Sequence, residues 1–248
     1  MHPAYLTISG LFSGLGVSAP AAAITVISGA AIEPGLNAAA IAFEKQSGIG
    51  VEITYNTTPQ IRRRVAAGDT FDILIAPPAA IADFAQAGKV EKKGVDLGRV
   101  GAGVAVRPGA PLPKIDTTDN LRQALLEAES IVFNRASSGI YLESLFKKMG
   151  LWEQIEPKAT RYATGAEVMD HVLNGRGREF GFGPTTEILI EKDRGLVLVG
   201  PLPAEIQNYT AYTAVLMSAG RQKEAAQAFT GFLDGPEGKS LFAASGIE

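Results

Sequence analysis

The sequence lacks cysteine altogether and holds only two histidines, His2 and His171. The absence of cysteine excludes disulfides, thiol nucleophiles, iron–sulfur clusters and cysteine-ligated zinc. Two histidines are too few for a histidine metal cluster. We therefore expect no resident metal ion and no cofactor, and we expect His171 to have a structural role within a helix.

The sequence also lacks an excess of basic charge. It has 23 Lys+Arg against 26 Asp+Glu, a formal net charge of −3, and 7% aromatic residues. Nucleic-acid binding needs a basic face, so no nucleic-acid partner is expected. The length of 248 residues and 46% hydrophobic content support one large domain or two small ones.

The first part of the chain contains no charged residue. Residues 6–17 form an apolar run, followed by small residues over 18–23. The run is shorter than the roughly 20 residues that a membrane span requires, and the pattern is typical of a cleaved secretory signal. We predict that residues 1–23 are a signal peptide and that the mature protein is periplasmic.

From residue 24 onward, short β-branched runs alternate with helix-like stretches. The predicted strands cover residues 24–27, 51–55, 72–75, 104–106, 131–133, 180–182, 196–199 and 212–217. This alternation predicts an α/β fold with mostly parallel sheets flanked by helices.

Three local patterns predict where helices lie. Apolar residues at helical spacing place one face of a helix against the core, namely Ile32, Leu36, Ala39 and Phe43. Thr58 followed by Pro59 predicts a helix start with Thr58 as the N-cap. Thr164 and Glu167 have the spacing of a capping box.

Two passages rich in Gly and Pro, at residues 101–113 and 201–203, indicate crossings between two lobes. We predict that lobe I comprises residues 24–103 and 209–248, and that lobe II comprises residues 104–208. A ligand cleft is expected between the lobes.

Small and hydroxyl residues follow several predicted strands, where helices begin. Helix N-termini carry partial positive charge and free N–H groups, so several that converge bind an anion. Lys and Arg are nearly absent from these junctions, with Arg135 the exception. Oxyanion or small-molecule binding is one interpretation; simple helix capping by Ser and Thr is the other.

Segments along the whole mature chain resemble the molybdate-binding proteins of bacterial ABC importers, of the type II periplasmic-binding-protein class. The similar segments are residues 24–31, 67–76, 137–141, 150–152 and 180–183. The resemblance implies a two-lobed fold that holds a tetrahedral oxyanion with hydroxyls and backbone amides from both lobes.

The resemblance also implies a set of ligand-binding residues. Carried onto this chain, these fall on Ala31, Thr58, Ser138, Ala166 and Pro184, and the full predicted set adds Ser28, Ala30, Thr57 and Gly139. Ala31 and Pro184 stand where the family has hydroxyl donors. Each missing hydrogen bond is expected to cost about 1–3 kcal/mol unless Ser28, Thr57, Ser138, Thr185 or a water replaces it.

The resulting prediction is a solute-binding component of an ABC importer that captures molybdate or tungstate. A monomer that delivers its ligand to an inner-membrane permease is expected. We predict that the protein is not an enzyme, because the predicted cleft loops hold no Cys, His or paired carboxylates. The alternatives are another oxyanion, a small organic acid with Arg135 as its carboxylate partner, an enzyme on the same scaffold, and a ligand-sensing domain.

Overall fold

The computed structural model describes residues 23–248. The predicted signal peptide therefore lies outside the described residues except for Ala23. The strands are β1 Ile24–Gly29, β2 Val51–Asn56, β3 Ile73–Ala76, β4 Val90–Val106, β5 Ser130–Asn134, β6 Ala159–Tyr162, β7 Glu179–Pro184, β8 Val197–Pro201 and β9 Tyr209–Met217. The helices are α1 Glu33–Ser47, α2 Thr58–Ala66, α3 Pro78–Gln86, α4 Thr118–Glu127, α5 Ser137–Lys148, α6 Trp152–Ile155, α7 Gly165–Asn174, α8 Thr185–Ile190, α9 Lys223–Asp234 and α10 Pro236–Ala244.

The strands follow the order β2-β1-β3-β9-β4-β7-β5-β6, and β8 pairs with β4. β1 pairs in parallel with β2 and β3, and β5 pairs in parallel with β6 and β7. The antiparallel pairings within residues 23–248 all involve β4 or β9. The predicted α/β class is confirmed, with the antiparallel strands at the junction of two parallel groups.

Two strands differ from the sequence prediction. β4 begins at Val90, although residues 104–106 alone were predicted, because its first half is charged and exposed and lacks an apolar pattern. β6 was missed because it is a half-buried edge strand of four residues.

The long strand β4 joins the two halves of the molecule. It pairs with β9 as far as Gly101 opposite Tyr209, and with β7 and β8 from Ala102 onward. Separate apolar cores lie on the two sides, one around Phe43 and Phe229 and the other around Phe133 and Phe146. The exact lobe boundaries, 24–103 with 209–248 and 104–208, stay a prediction.

The helix starts agree with the sequence prediction except at α2, where the N-cap lies one residue earlier than predicted. The predicted face of α1 is buried, and Thr164 and Glu167 form the predicted capping box of α7. In α2 the N-cap is Thr57, with Gln60 completing a capping box, and Thr58 is the first helical residue. The N-cap prediction for Thr58 was therefore wrong by one position, because Thr57 has the extended backbone that a cap requires.

Candidate ligand cleft

A cavity of about 270 Å³ lies where the carboxyl ends of strands from both halves meet the starts of helices. This is the place where open α/β sheets bind ligands. Its volume equals roughly nine water molecules at about 30 Å³ each. The cavity therefore has room for a small organic acid as well as for a tetrahedral oxyanion.

One side of the cavity is built from small and hydroxyl residues at helix starts. We call it the donor wall: Ala30, Ala31, Thr57, Thr58, Ser137, Ser138, Gly165 and Ala166. These residues belong to the 3₁₀ turn before α1 and to the first turns of α2, α5 and α7. The side chains here are short and uncharged, and helix starts offer backbone N–H groups, a combination suited to carboxylates and oxyanions.

Seven of the nine residues predicted from the sequence line the cavity, and Ser28 and Gly139 do not. The Ser28 side chain is fully buried and donates to the carbonyl of Gly29 at 3.0 Å. The Gly139 amide donates to Asn134 Oδ1 at 3.2 Å, so it is already occupied. Arg135 is exposed and lies outside the lining. The ligand-binding roles of the predicted set stay a prediction.

Three glutamates also line the cavity. We call them the acidic wall: Glu33, Glu187 and Glu191. Glu33 begins α1, Glu187 lies in the first turn of α8, and Glu191 begins the 3₁₀ turn after α8. The prediction that the cleft contains no paired carboxylates was therefore wrong.

Glu187 is the most unusual group of the acidic wall. Its Oε2 is shielded from solvent and has no hydrogen-bond partner within residues 23–248. Burial raises the pKa of this carboxyl from 4.5 to about 7, and the nearby Glu33 carboxyl adds to the rise. Such a group exchanges protons near neutral pH, which is the property of a general acid or base.

Two tyrosines also line the cavity. The ring of Tyr212 is buried beside the end of β1, where a Cβ on Gly29 would lie 2.5 Å from it. The Tyr55 hydroxyl donates to Asn37 Oδ1 at 2.7 Å. Burial raises the pKa of both phenols above its usual value, so both stay protonated at neutral pH.

Helix α8 holds Glu187 at the junction of the two halves. The buried Thr186 hydroxyl donates to the carbonyl of Ala31, and α8 packs against α1. The position of the Glu187 side chain therefore depends on contacts with both halves of the chain.

Sequence reasoning missed Glu187 because its neighbours give no motif. A usable signal was present: Glu187 follows Pro184 by three residues, at the strand-to-helix junction after β7. Acidic residues are common at helix N-termini because they interact favourably with the helix dipole. Glu187 therefore looks like an ordinary helix-start residue in the sequence.

The part of the chain from residue 23 to 248 contains no group of three His, Cys, Asp or Glu placed to hold a metal ion. None of the helices in this part is long and apolar enough to cross a bilayer.

Residues 24–248 match the model of the bacterial extracellular solute-binding protein family, and the chain belongs to this family. The fold agrees with that class. The Azotobacter vinelandii periplasmic molybdate-binding protein superposes with a TM-score of 0.75 at 14% identity, covering 91% of this chain and 98% of that one.

Two curated relatives differ in what their names say they do. The chain is 30% identical over 236 residues to "Aconitate isomerase" of Pseudomonas sp, covering 92% of this chain and 88% of the relative. It is 24% identical over 231 residues to "Molybdate-binding protein ModA" of Escherichia coli (strain K12), covering 88% and 86%.

These comparisons confirm the predicted type II periplasmic-binding-protein relationship. They also correct one prediction, because the relative at 30% identity is named as an enzyme. The prediction that the protein is not an enzyme is contradicted by this finding. The cleft also contains carboxyls that the sequence interpretation had not expected there.

Proposed function

We propose that the protein is an isomerase of a small unsaturated polycarboxylate, with aconitate as the first candidate substrate. The observation that supports this most directly is the shielded, unpartnered Glu187 Oε2 beside the cavity. The similarity to an aconitate isomerase supplies the substrate class.

The proposed reaction is a proton transfer within the substrate. Aconitate has a methylene group next to a carbon–carbon double bond. Glu187 removes one methylene proton, and the electron pair of that C–H bond spreads over the neighbouring double bond and the flanking carboxylates. Return of the proton from Glu187 to the far carbon of the same three-carbon unit gives the isomer, with no redox step and no bond to water.

The donor wall has the chemistry to hold the substrate during this step. Free amides at the starts of α2, α5 and α7 bind carboxylates and stabilise the negative charge that develops after proton removal. Thr58 adds a hydroxyl donor, whereas the Ser138 hydroxyl donates to Asn134 Oδ1 at 3.4 Å. In this arrangement the substrate carboxylates face the donor wall and its methylene group faces Glu187.

Reversible capture of molybdate or tungstate for an ABC importer is the second candidate, and the donor wall favours it. The shielded, unpartnered Glu187 carboxyl has no role in this candidate, because capture of an oxyanion involves no proton transfer. Ala31 and Pro184 also contribute no hydroxyl to the lining.

A paired assay distinguishes the two candidates. The purified chain is incubated with cis- or trans-aconitate, and isomerisation is followed by ultraviolet absorbance or NMR. Thermal shifts with aconitate, molybdate and sulfate are measured in parallel, since a ligand stabilises the folded state more strongly the further its concentration exceeds its Kd. We expect turnover and an aconitate shift; molybdate stabilisation without turnover would support the second candidate and overturn the first.

We also propose that the mature chain is exported to the periplasm, where a membrane permease is the partner if the second candidate holds. The family description supports an extracellular location. Fractionation of cells that express the full chain tests this: recovery of a protein shortened near residue 23 from the periplasmic fraction is expected, and full-length protein in the cytoplasm would contradict it.

A further inference from the structure

Gly165, the first residue of α7, lies directly against the carboxyl of Glu187. A Cβ built on Gly165 would lie 1.6 Å from Glu187 Oε2 and 2.8 Å from its Cδ. Both distances are shorter than those that real Cβ atoms make. The space that a side chain at residue 165 would need is therefore occupied by the carboxyl itself.

Within residues 23–248, no other feature requires glycine at this position. The backbone of Gly165 does not have the left-handed conformation that favours glycine. The start of α7 is fixed by its neighbours, since Thr164 Oγ1 accepts from the Glu167 amide and Glu167 Oε2 accepts from the Thr164 amide. Glycine is also a poorer helix former than alanine. The carboxyl of Glu187 is thus the one described neighbour that excludes a side chain.

We propose that Gly165 is a positioning residue for Glu187, whose missing side chain lets the carboxyl lie on the first turn of α7 at the edge of the cavity. This inference rests on the proposed function, in which the Glu187 carboxyl moves the substrate proton. A methyl group at residue 165 would displace the carboxyl by about an ångström or more, and it would leave the donor wall otherwise intact.

The first test is Gly165→Ala assayed with aconitate. A misplacement of about 1 Å costs about 100-fold in rate, so we expect kcat to fall by about that factor while KM and the aconitate thermal shift change little. Gly231→Ala is the matched control: it lies inside α9, a Cβ there meets nothing within 4 Å, and kcat should not change. An unchanged kcat in Gly165→Ala would overturn the proposal.

The second test asks whether the loss comes from the carboxyl. Glu187→Asp shortens the side chain by one methylene group, so that the methyl group introduced by Gly165→Ala no longer overlaps the carboxyl. Residues that act through direct contact show non-additive effects. We expect Gly165→Ala to cost less than about 3-fold in the Glu187→Asp background, against about 100-fold alone. Equal costs in both backgrounds would show that Gly165 acts on something else.

A third measurement separates this proposal from the proposed function. If the wild type shows no turnover of aconitate, the function fails, but the contact can still be tested by unfolding. A buried carboxyl whose pKa is raised makes the folded state less stable as pH rises from about 5 to 7. The other titratable groups that line the cavity with Glu187 are Glu33, Tyr55, Glu191 and Tyr212, of which Glu33 and Tyr212 interact with its charge.

These four groups are present in all the variants, so differences in slope report on Glu187. We expect Gly165→Ala to move the carboxyl toward water and to flatten this slope to that of Glu187→Gln. A slope in Gly165→Ala equal to that of the wild type would overturn the proposal.

Discussion

The two walls of the cleft differ in chemistry although they face one cavity. The donor wall consists of short, uncharged residues at helix starts, whereas the acidic wall consists of three glutamates. A site that only captured an oxyanion would need the first wall and would give the Glu187 carboxyl of the second no role. Under the proposed function, binding belongs to the donor wall and proton transfer to Glu187 of the acidic wall.

The difference extends to how each wall is anchored. The donor wall rests on the ends of β1, β2 and β5 and on the starts of helices of nine residues or more. Glu187 is carried by the six-residue α8, whose Thr186 bonds to Ala31 across the junction. Thr186 follows β7 in one half and Ala31 follows β1 in the other. A relative movement of the two halves would therefore shift Glu187 through this hydrogen bond.

The largest expected effect comes from removing the acid–base group of the acidic wall. Glu187→Gln keeps the shape but cannot take a proton, so kcat for aconitate isomerisation should fall by about 10²–10⁴-fold. The thermal shift with aconitate should remain, because the donor wall is unchanged. Retention of wild-type kcat would show that another group moves the proton.

Glu191→Gln is the matched control within the same wall. Its carboxylate accepts a hydrogen bond from Arg194 Nη1 at 2.7 Å, so it already has a partner, unlike Glu187 Oε2. We expect less than about a 5-fold change in kcat, since a surface ion pair is worth about 1 kcal/mol or less. A fall in kcat as large as that of Glu187→Gln would show that Glu191 is as important for the reaction as Glu187.

The next effect concerns stability. The pKa of Glu187 is raised from 4.5 to about 7, so the folded state binds more protons than the unfolded state between these values. Stability is therefore highest below about pH 5 with respect to this group and falls as pH rises toward 7. Since one pKa unit corresponds to about 1.36 kcal/mol and the residue is partly exposed, the loss should be about 1–3 kcal/mol.

Denaturant unfolding of the wild type and Glu187→Gln at pH 5 and pH 8 measures this difference. Glu187→Gln should be the more stable of the two at pH 8, with the gap closing at pH 5. A gap that does not depend on pH would contradict the raised pKa.

The smallest effect comes from the donor wall. Thr58→Val removes one hydroxyl and keeps the shape, so the Kd for aconitate should rise by about 5-fold, corresponding to about 1 kcal/mol. Thr118→Val is the matched control, because Thr118 is also the first helical residue after a threonine N-cap and lies outside the cavity lining. Titration calorimetry checks both; equal effects in the two variants would exclude a direct contact from Thr58.

Much of the fold could be predicted from the sequence because its signals are local. The apolar spacing of α1, the capping box of α7 and the short β-branched strands each depend on near neighbours. The charged first half of β4 could not be predicted, since it is held in the sheet by pairing with β9, which lies more than a hundred residues later.

The donor side of the site could be anticipated for a related reason. Small residues after strands mark helix starts, and parallel strands bring those starts to one edge of the sheet. The raised pKa and the shielded position of Glu187 could not be anticipated, because they arise from contacts that are distant in sequence. Its carboxyl lies against Gly165, near Glu33, and on a helix tied to Ala31.

The pH dependence of kcat/KM for aconitate isomerisation, measured for the wild type beside Glu187→Gln, is the most direct test of an ionisable base at Glu187. In the wild type kcat/KM should rise with pH and level off above about 7, because the carboxyl must lose its proton before it can accept one from the substrate. The residual rate of Glu187→Gln should lack this step. A wild-type profile that is flat through neutral pH, or a variant that keeps the same profile and rate, would contradict the account.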